Sequence, residues 1–520
     1  MATGPCTRAR QTTDTHFFHM DVPYYVCTLR AALRRRGLQF ASLCIVSFVR
    51  AGARLSTSLC AAFLLSIFML RQLFFALVVG CRASTVLLYV GKTIDKPWTG
   101  TEARSGALGG SETNAGELAA ALHARGYSVV VSGQVQDGDH DGVQYVSEQQ
   151  LKVTDWLTGA PQFDHIIISR VVQQFQMNHR FSARRGIFLW VQDIIPSVYS
   201  SSPRSTRSEY LLEVEQLLSG IASSLTRVLA LSPSHKADMA RFFPTLHASH
   251  PQLWSWMPNA IDAGRWERAE TAFAAAGEAK IPHRFIYTSV PNRGLSRLLR
   301  LFPRVRAALP GATLVVSTYE PEAITEEMHR LLRESSEYVT FAGALSKADL
   351  YREMLRAEVW LYPTTFKETY CNTALEMMRG RVLAVASDLG ALHDWLGASR
   401  GVLLPMVNPD RVEGSELEYG EPKLDLEALV ALLADRPRLK HMVDGAHAWA
   451  VRQTWERRSE QWARLLESAS SEQEDHGGHH RHSVDPAAPA GSGISIWRTV
   501  AVGTVFVGVL MAVVLPEILG

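Results

Sequence analysis

The sequence predicts an α/β fold made of two Rossmann-like domains, and three observations carry that expectation. At 520 residues the chain is too long for a single core. Near its start, TVLLYVG (85–91) reads as a buried strand, and a Gly-Gly turn, a helical segment and a second apolar run, YSVVVSG (127–133), follow it. Far downstream, LYPTTFKETYCNTALEMMRGRVLAVASD (361–388) repeats the sequence of strand, polar loop, helix and strand. Alternation of this kind builds parallel sheets and puts ligand chemistry at the carboxyl ends of the strands.

Composition is that of a globular chain, 47% hydrophobic and 20% charged, with a formal net charge of +2. That total hides an asymmetry. Residues 1–84 hold ten Arg against two acids, whereas the remainder holds 43 basic and 49 acidic residues. The basic excess therefore belongs to an N-terminal extension, and the body offers no nucleic-acid-binding face. Four of the six cysteines precede residue 61 and none forms a C-x-x-C pair, which argues against a disulfide framework or a zinc site.

Within the extension (1–84), residues 40–81 are strongly apolar but interrupted by Arg50, Arg54 and Arg71. The longest uncharged piece, 55–70, has 16 residues, short of the ~20 that span a bilayer. Snorkelling of Arg71 would lengthen it. A signal anchor, an interfacial hairpin and an Arg-rich transit peptide all fit, and membrane contact is favoured.

The first domain is expected over 85–262. Gly109 and Gly110 let the backbone approach a ligand, Ser111 is the expected N-cap, and TNAGELAAALHARG is the expected helix. Further apolar runs are DHIIISR, GIFLWVQD, RVLALS and WSWMPNAID, the last ending the domain. Residues 263–280, rich in Ala, Glu and Arg, read as a linker. The second domain (281–440) opens with RFIYTSV and PNRG, and a helix over 441–468 follows it. A polar linker (469–497) carries His476, His479, His480 and His482, read as a solvated spacer. Residues 498–520 then give 17 apolar, Gly or Thr positions in a row, a C-terminal membrane anchor. Arg498 favours a cytosolic body; a signal anchor near the N-terminus would favour a lumenal one.

The stretch 361–388 carries the chemistry. Glu368 falls on the loop, and Glu376 falls on the second turn of a helix starting near Asn372. The backbone N–H groups of Tyr370, Cys371, Asn372 and Thr373 would meet a diphosphate at the positive end of that helix. Cys371 reads as a packing residue rather than a nucleophile. This Glu-x7-Glu segment, with its strand ending in Pro, its Leu-Glu-Met-Met and the Gly before the next strand, resembles the signature of retaining GT-B glycosyltransferases of the fourth family. GGSETNAGELAAALHARGYSVVV and MPNAID are similar to that family's first β–α–β unit and domain close, and the resemblance covers about residues 85–468.

The resemblance implies two domains facing across a cleft, a UDP- or GDP-sugar as co-substrate and no obligatory cofactor or metal. A single Asp-x-Asp match, Asp137-Gly138-Asp139, reads as a surface loop. Glu368, Arg293 and Asp193 become the candidate catalytic residues, with Glu368 on the donor sugar hydroxyls and Arg293 on the diphosphate. Glu376 is implied at the ribose, and Gly343, Ala344 and Leu345 at the nucleoside. Gly109 and Gly110 face the diphosphate and the acceptor. Two departures stand out: Thr288 where many relatives carry Arg, and Gln192 where many carry His. His165 and His179 are read as packed or surface residues. The expected activity is hexosyl transfer to a lipid-linked, glycan or protein acceptor at a membrane. A non-catalytic tethered subunit is the alternative, ahead of an epimerase or phosphorylase.

Overall fold

A computed structural model describes residues 83–475 apart from 92–95, 106–107, 154–162, 171–182, 196–206 and 408–419. The apolar and Arg-rich part of the expected extension, His179, the His-bearing part of the linker and the expected anchor at 498–520 lie outside the described residues. Among the described residues, no helix is long and apolar enough to cross a membrane.

The first lobe is an eight-stranded sheet: β1 (Thr85–Gly91), β2 (Ser128–Gly133), β3 (Gly138–His140), β4 (Val143–Ser147), β5 (Phe163–Ser169), β6 (Ala183–Trp190), β7 (Arg227–Ala230) and β8 (Trp254–Trp256). Their order is β3-β4-β2-β1-β5-β6-β7-β8. Every neighbouring pair is parallel except β3 with β4. Six of the seven β1 residues are buried, as expected of a strand covered on both faces. Its helices include α1 (Gly110–Ala124), α2 (Arg207–Ile221) and α3 (Pro233–Phe242).

The residues expected as a linker are mostly helical, α4 (Ala263–Ala275), capped by the Asp262 carboxylate accepting from the Arg265 N–H at 2.8 Å. Alanine-rich composition favours a helix once one face can be buried. Here Trp266 supplies that face, fully buried and stacked 4.1 Å from Tyr351.

The second lobe is a six-stranded parallel sheet: β9 (Arg284–Thr288), β10 (Thr313–Ser317), β11 (Val339–Gly343), β12 (Val359–Tyr362), β13 (Leu383–Ser387) and β14 (Val402–Leu404). The order β11-β10-β9-β12-β13-β14 reverses direction between β9 and β12, as the first sheet does between β1 and β5. Crevices at the carboxyl ends of strands beside such a reversal are where open α/β sheets bind ligands. Helices α5 (Leu295–Ala308), α6 (Glu326–Glu334), α7 (Lys347–Arg356), α8 (Asn372–Arg379) and α9 (Ala391–Arg400) connect the strands.

After α10 (Leu426–Ala434) and α11 (Arg436–Ala450), the final helix α12 (Trp455–Asp475) returns to the first lobe. Within the stretch expected to cross back, one helix ends at Ala450 and the next begins at Trp455. Trp462, fully buried, meets Trp190 edge-on at 5.5 Å and Phe188 at 6.4 Å. Arg125 at the end of α1 donates to Ser459 Oγ and Glu460 Oε1, each at 2.7 Å. Removing a fully buried indole leaves a cavity that its rigid neighbours cannot fill. Trp462→Ala is therefore expected to lower stability by about 3–5 kcal/mol. Chemical denaturation checks this, and an unchanged midpoint would contradict the docking of α12.

Candidate active site

The segment between β12 and α8 is held by two glycines from neighbouring loops. A Cβ on Gly294, whose φ is +103°, would lie 2.5 Å from the Pro363 carbonyl oxygen. One on Gly390, φ +57°, would lie 2.4 Å from the Glu368 carbonyl oxygen. Both positions combine a left-handed backbone with an approach too close for any side chain. The Glu368 carbonyl also accepts from the Ala391 N–H at 2.9 Å. At the loop's end Cys371 is itself left-handed, φ +66°, a conformation rare for a residue with a Cβ and held here by the surrounding structure. Its carbonyl accepts from the Ala374 N–H. The turn delivers the first amides of α8, which have no acceptor four residues back, to the cleft.

That cleft lies between the lobes and has a volume of about 790 Å³. Glu368, Arg293, Asp193, Gly110, Leu345, Tyr370, Cys371, Asn372, Thr373 and Glu376 all line it, so residues far apart in the chain meet there. Gly109, Gly343 and Ala344 do not line it. Gly109 is the N-cap of α1, in extended conformation, and a Cβ there would sit 3.0 Å from Glu112 Oε2. Ser111 falls in the first turn and is not the cap expected for it, because the helix begins one residue before it. The Gly343 carbonyl, at the end of β11, accepts from Ser317 Oγ and the Thr318 N–H of the neighbouring strand end, and Ala344 is exposed.

Glu368 is half-buried, and Tyr362 Oη donates to its Oε1 at 2.8 Å. Burial pushes its carboxyl above the ordinary 4.5, opposed by the Arg293 charge and the Tyr362 hydrogen bond. The Arg293 guanidinium lies over the Phe366 ring. Glu376, buried, holds Lys347 Nζ at 2.7 Å and Tyr351 Oη at 2.9 Å on the same Oε1. Burial raises the Cys371 thiol well above its usual range, and the Glu368 charge adds to the effect, so it stays protonated and is no nucleophile. Asp193 receives both Arg170 Nε (2.8 Å) and Arg170 Nη2 (3.3 Å), and Arg170 also reaches Glu112 at 3.1 Å. Its carboxylate is thus already engaged by a guanidinium.

Buried polar atoms without a hydrogen-bond partner gather on this wall: Gln192 Nε2, Asn259 Oδ1, Thr288 Oγ1, Arg293 Nη1 and Asn372 Oδ1. Buried polar groups are ordinarily satisfied; other such atoms lie elsewhere among the described residues, but those on this wall border open space that a polar ligand could fill. The two departures noted in the sequence, Thr288 and Gln192, are among them.

The two lobes touch through the same loop. Lys367 Nζ meets Asp238 on α3 at 2.6 Å, Thr369 Oγ1 donates to the Gln192 carbonyl at 2.9 Å, and Asn372 Nδ2 donates to Asn114 Oδ1 at 3.0 Å. Ser234 adds two 2.9 Å bonds to Asp394. Lys367, Asn114, Lys347, Tyr351, Tyr362, Arg170 and Phe366 were not singled out in the sequence. All but Tyr362, whose partner Glu368 is six residues on, gain their roles from partners distant in the chain, and no local pattern marks them.

Asp137 accepts from the Ser147 N–H at 2.6 Å and Asp139 from the Gly142 N–H at 3.1 Å, so the Asp-x-Asp match braces the exposed β3–β4 hairpin away from the cleft. Among the described residues, no group of three or more His, Cys, Asp or Glu is arranged to hold a metal. His165 is buried on β5 against Phe188, and burial lowers it to about 4. His235, buried in α3, accepts from the Leu231 N–H at 3.1 Å through Nδ1 and is likewise lowered to about 4 by burial.

Residues 283–413 match the family Glycosyl transferases group 1. No curated protein matches the chain. Among solved structures, HepE of Anabaena, in complex with UDP and glucose, is similar over 74% of this chain and 99% of its own, with 16% identity and a TM-score of 0.51. Sucrose-phosphate synthase from Thermosynechococcus elongatus is similar over 75% of this chain and 100% of its own, at 16% identity and a TM-score of 0.52. A glycosyltransferase from Rickettsia africae gives 75%, 99%, 11% and 0.51. The fold is thus GT-B-like, and the second lobe carries a glycosyltransferase domain.

The histidines generate a pH expectation. A folded-state value below the unfolded 6.5 contributes stability that is complete above 6.5 and is lost as pH falls towards 4. Each histidine should remove about 1.4 kcal/mol per pH unit across that window. Denaturation from pH 7 to 4 checks this. His235→Gln should flatten the slope, and an unaltered slope in that variant would contradict the burial of a neutral imidazole.

Proposed function

We propose that the chain is a retaining, hexosyltransferase-type glycosyltransferase of the fourth family. It moves a sugar from a UDP- or GDP-sugar to a hydroxyl of a lipid-linked, glycan or protein acceptor at a membrane surface. The observation that carries this reading is the meeting, in one cleft, of the Glu368 carboxylate, the unpartnered Arg293 Nη1 and the open amides of α8.

In the transfer, the bond from the sugar C1 to the β-phosphate oxygen breaks. A bond from C1 to the acceptor oxygen forms on the same face, and the acceptor proton leaves with the nucleoside diphosphate. Negative charge grows on the β-phosphate, so a guanidinium and a helix N-terminus are the groups that stabilise it. Glu368 takes the donor sugar hydroxyls. Glu376 takes the ribose through Oε2, since Lys347 and Tyr351 hold its other oxygen. Leu345 lies where the nucleoside base would pack. Asp193, fixed by Arg170, belongs to the first-lobe wall that meets the acceptor. The reading as a non-catalytic subunit draws on Thr288 and Gln192. Both face the cleft with unpartnered polar atoms, which a ligand would satisfy.

The membrane setting rests on the composition of residues 498–520, and Arg498 beside them supports a body facing the cytosol rather than the lumen. Removing residues 498–520 is expected to move the protein from the carbonate-resistant membrane fraction to the supernatant. Retention in the membrane would assign that role elsewhere. For the chemistry, a panel of UDP- and GDP-sugars is assayed for transfer and hydrolysis. Glu368→Gln and Arg293→Ala are each expected to lower kcat/KM by about 10²–10³-fold with circular dichroism unchanged. Full activity in both variants would remove the assignment.

A further inference from the structure

Tyr362 is the last residue of β12 and is 1% exposed. Its ring stacks on Trp360 at 4.7 Å and lies tilted against Tyr287 at 6.0 Å, so the phenol has one available orientation. From there Oη reaches forward over the Pro363 turn to Glu368 Oε1 at 2.8 Å, with Ser289 Oγ behind it at 3.4 Å. Among the described residues, this hydroxyl is the sole hydrogen-bond donor on the Glu368 carboxylate. The Glu368 main chain is fixed independently by Ala391 and Gly390.

We infer that the Tyr362 hydroxyl is a positioning group for Glu368, holding one carboxylate oxygen so that the other is presented to the ligand and favouring the ionised form. This rests on the proposed role of Glu368 in the donor site. The carboxylate is half-buried and burial opposes its ionisation. The groups acting on it are Tyr362 from β12, Arg293 from the loop after β9, Tyr287 from β9, Tyr319 from the loop after β10, and Cys371 from its own loop. Arg293 supplies the one positive charge in that set. Its charge attracts from a distance, whereas Tyr362 supplies direction. Burial and the nearby carboxylate hold the phenol well above 10, so it stays a donor throughout the working range. A hydrogen bond donated to a carboxylate stabilises its charged form.

Tyr362→Phe deletes one atom and keeps the ring packing. The pKa of Glu368 is read directly by NMR on protein labelled at the glutamate carboxyl carbons, its signal assigned by its loss in Glu368→Gln. In Tyr362→Phe that titration is expected to move up by about one pH unit. The acid limb of kcat/KM, measured with the best donor of the panel, should move with it. At pH 7 kcat should fall about tenfold while KM changes less than twofold. An unmoved titration and an unmoved acid limb overturn the proposal, even where Glu368→Gln is inactive. If Glu368→Gln keeps full activity, the donor-site reading fails, and an upward NMR shift would then leave Tyr362 a structural neighbour only, which also overturns the proposal. Melting temperature establishes that Tyr362→Phe folds. If it does not, site-specific fluorotyrosine at 362, a stronger donor with the same ring, should move the titration down, and an unmoved titration overturns the proposal.

Discussion

The arrangement depends on one steric constraint: the loop from Pro363 to Cys371 is gripped by backbone on both sides. Gly294 and Gly390 come so close to the Pro363 and Glu368 carbonyls that no other residue fits at either position. With its main chain fixed at those points, the loop places Glu368 ahead of the first turn of α8, and the left-handed Cys371 turns the chain into that helix. Every polar feature of the cleft is measured from this loop. Were it free to slide, Arg293 and Glu368 would have no defined relation, because Arg293 is carried by the loop that Gly294 ends.

The same loop joins the lobes. Lys367, Thr369 and Asn372 each bond across the cleft, to Asp238, the Gln192 carbonyl and Asn114. Lys367 and Asp238 are both mostly shielded from solvent, so their attraction is weakened little by water and salt. The carboxylate proposed to meet the donor and the residues that join the lobes thus lie side by side in sequence. On the far side, α12 returns to the first lobe and α4 packs Trp266 against Tyr351, so the lobes are joined by helices and not by an extended strap.

How much of this was legible depends on the range of the interaction. The β–α–β units at 85–133 and 361–388 were readable because a buried parallel strand is a continuous apolar run and its turn residues are local. Glu368 and Glu376 were found through a motif whose spacing encodes one loop and one helix turn, and Arg293 through the resemblance of PNRG to the family's diphosphate-contacting position. The helix at Ala263–Ala275 was read as a linker, although its Asp262 cap and alanines are local helix signals; its one buried face, Trp266, depends on Tyr351 some 85 residues away. Ser111 was read as a cap because serine suits that role, but the extended backbone falls at Gly109. Lys347 on Glu376 and Arg170 on Asp193 carry no local signal. They emerge only when the topology brings distant loops together.

The central claim is that the cleft holds a nucleoside diphosphate against Arg293 and the start of α8. It is tested most directly by a crystal structure of the protein grown with UDP or GDP. The account predicts the diphosphate within hydrogen-bond distance of Arg293 Nη1 and of the Asn372 and Thr373 amides, with the ribose beside Glu376. A nucleotide seated elsewhere, or one leaving Arg293 Nη1 without a partner, would contradict it.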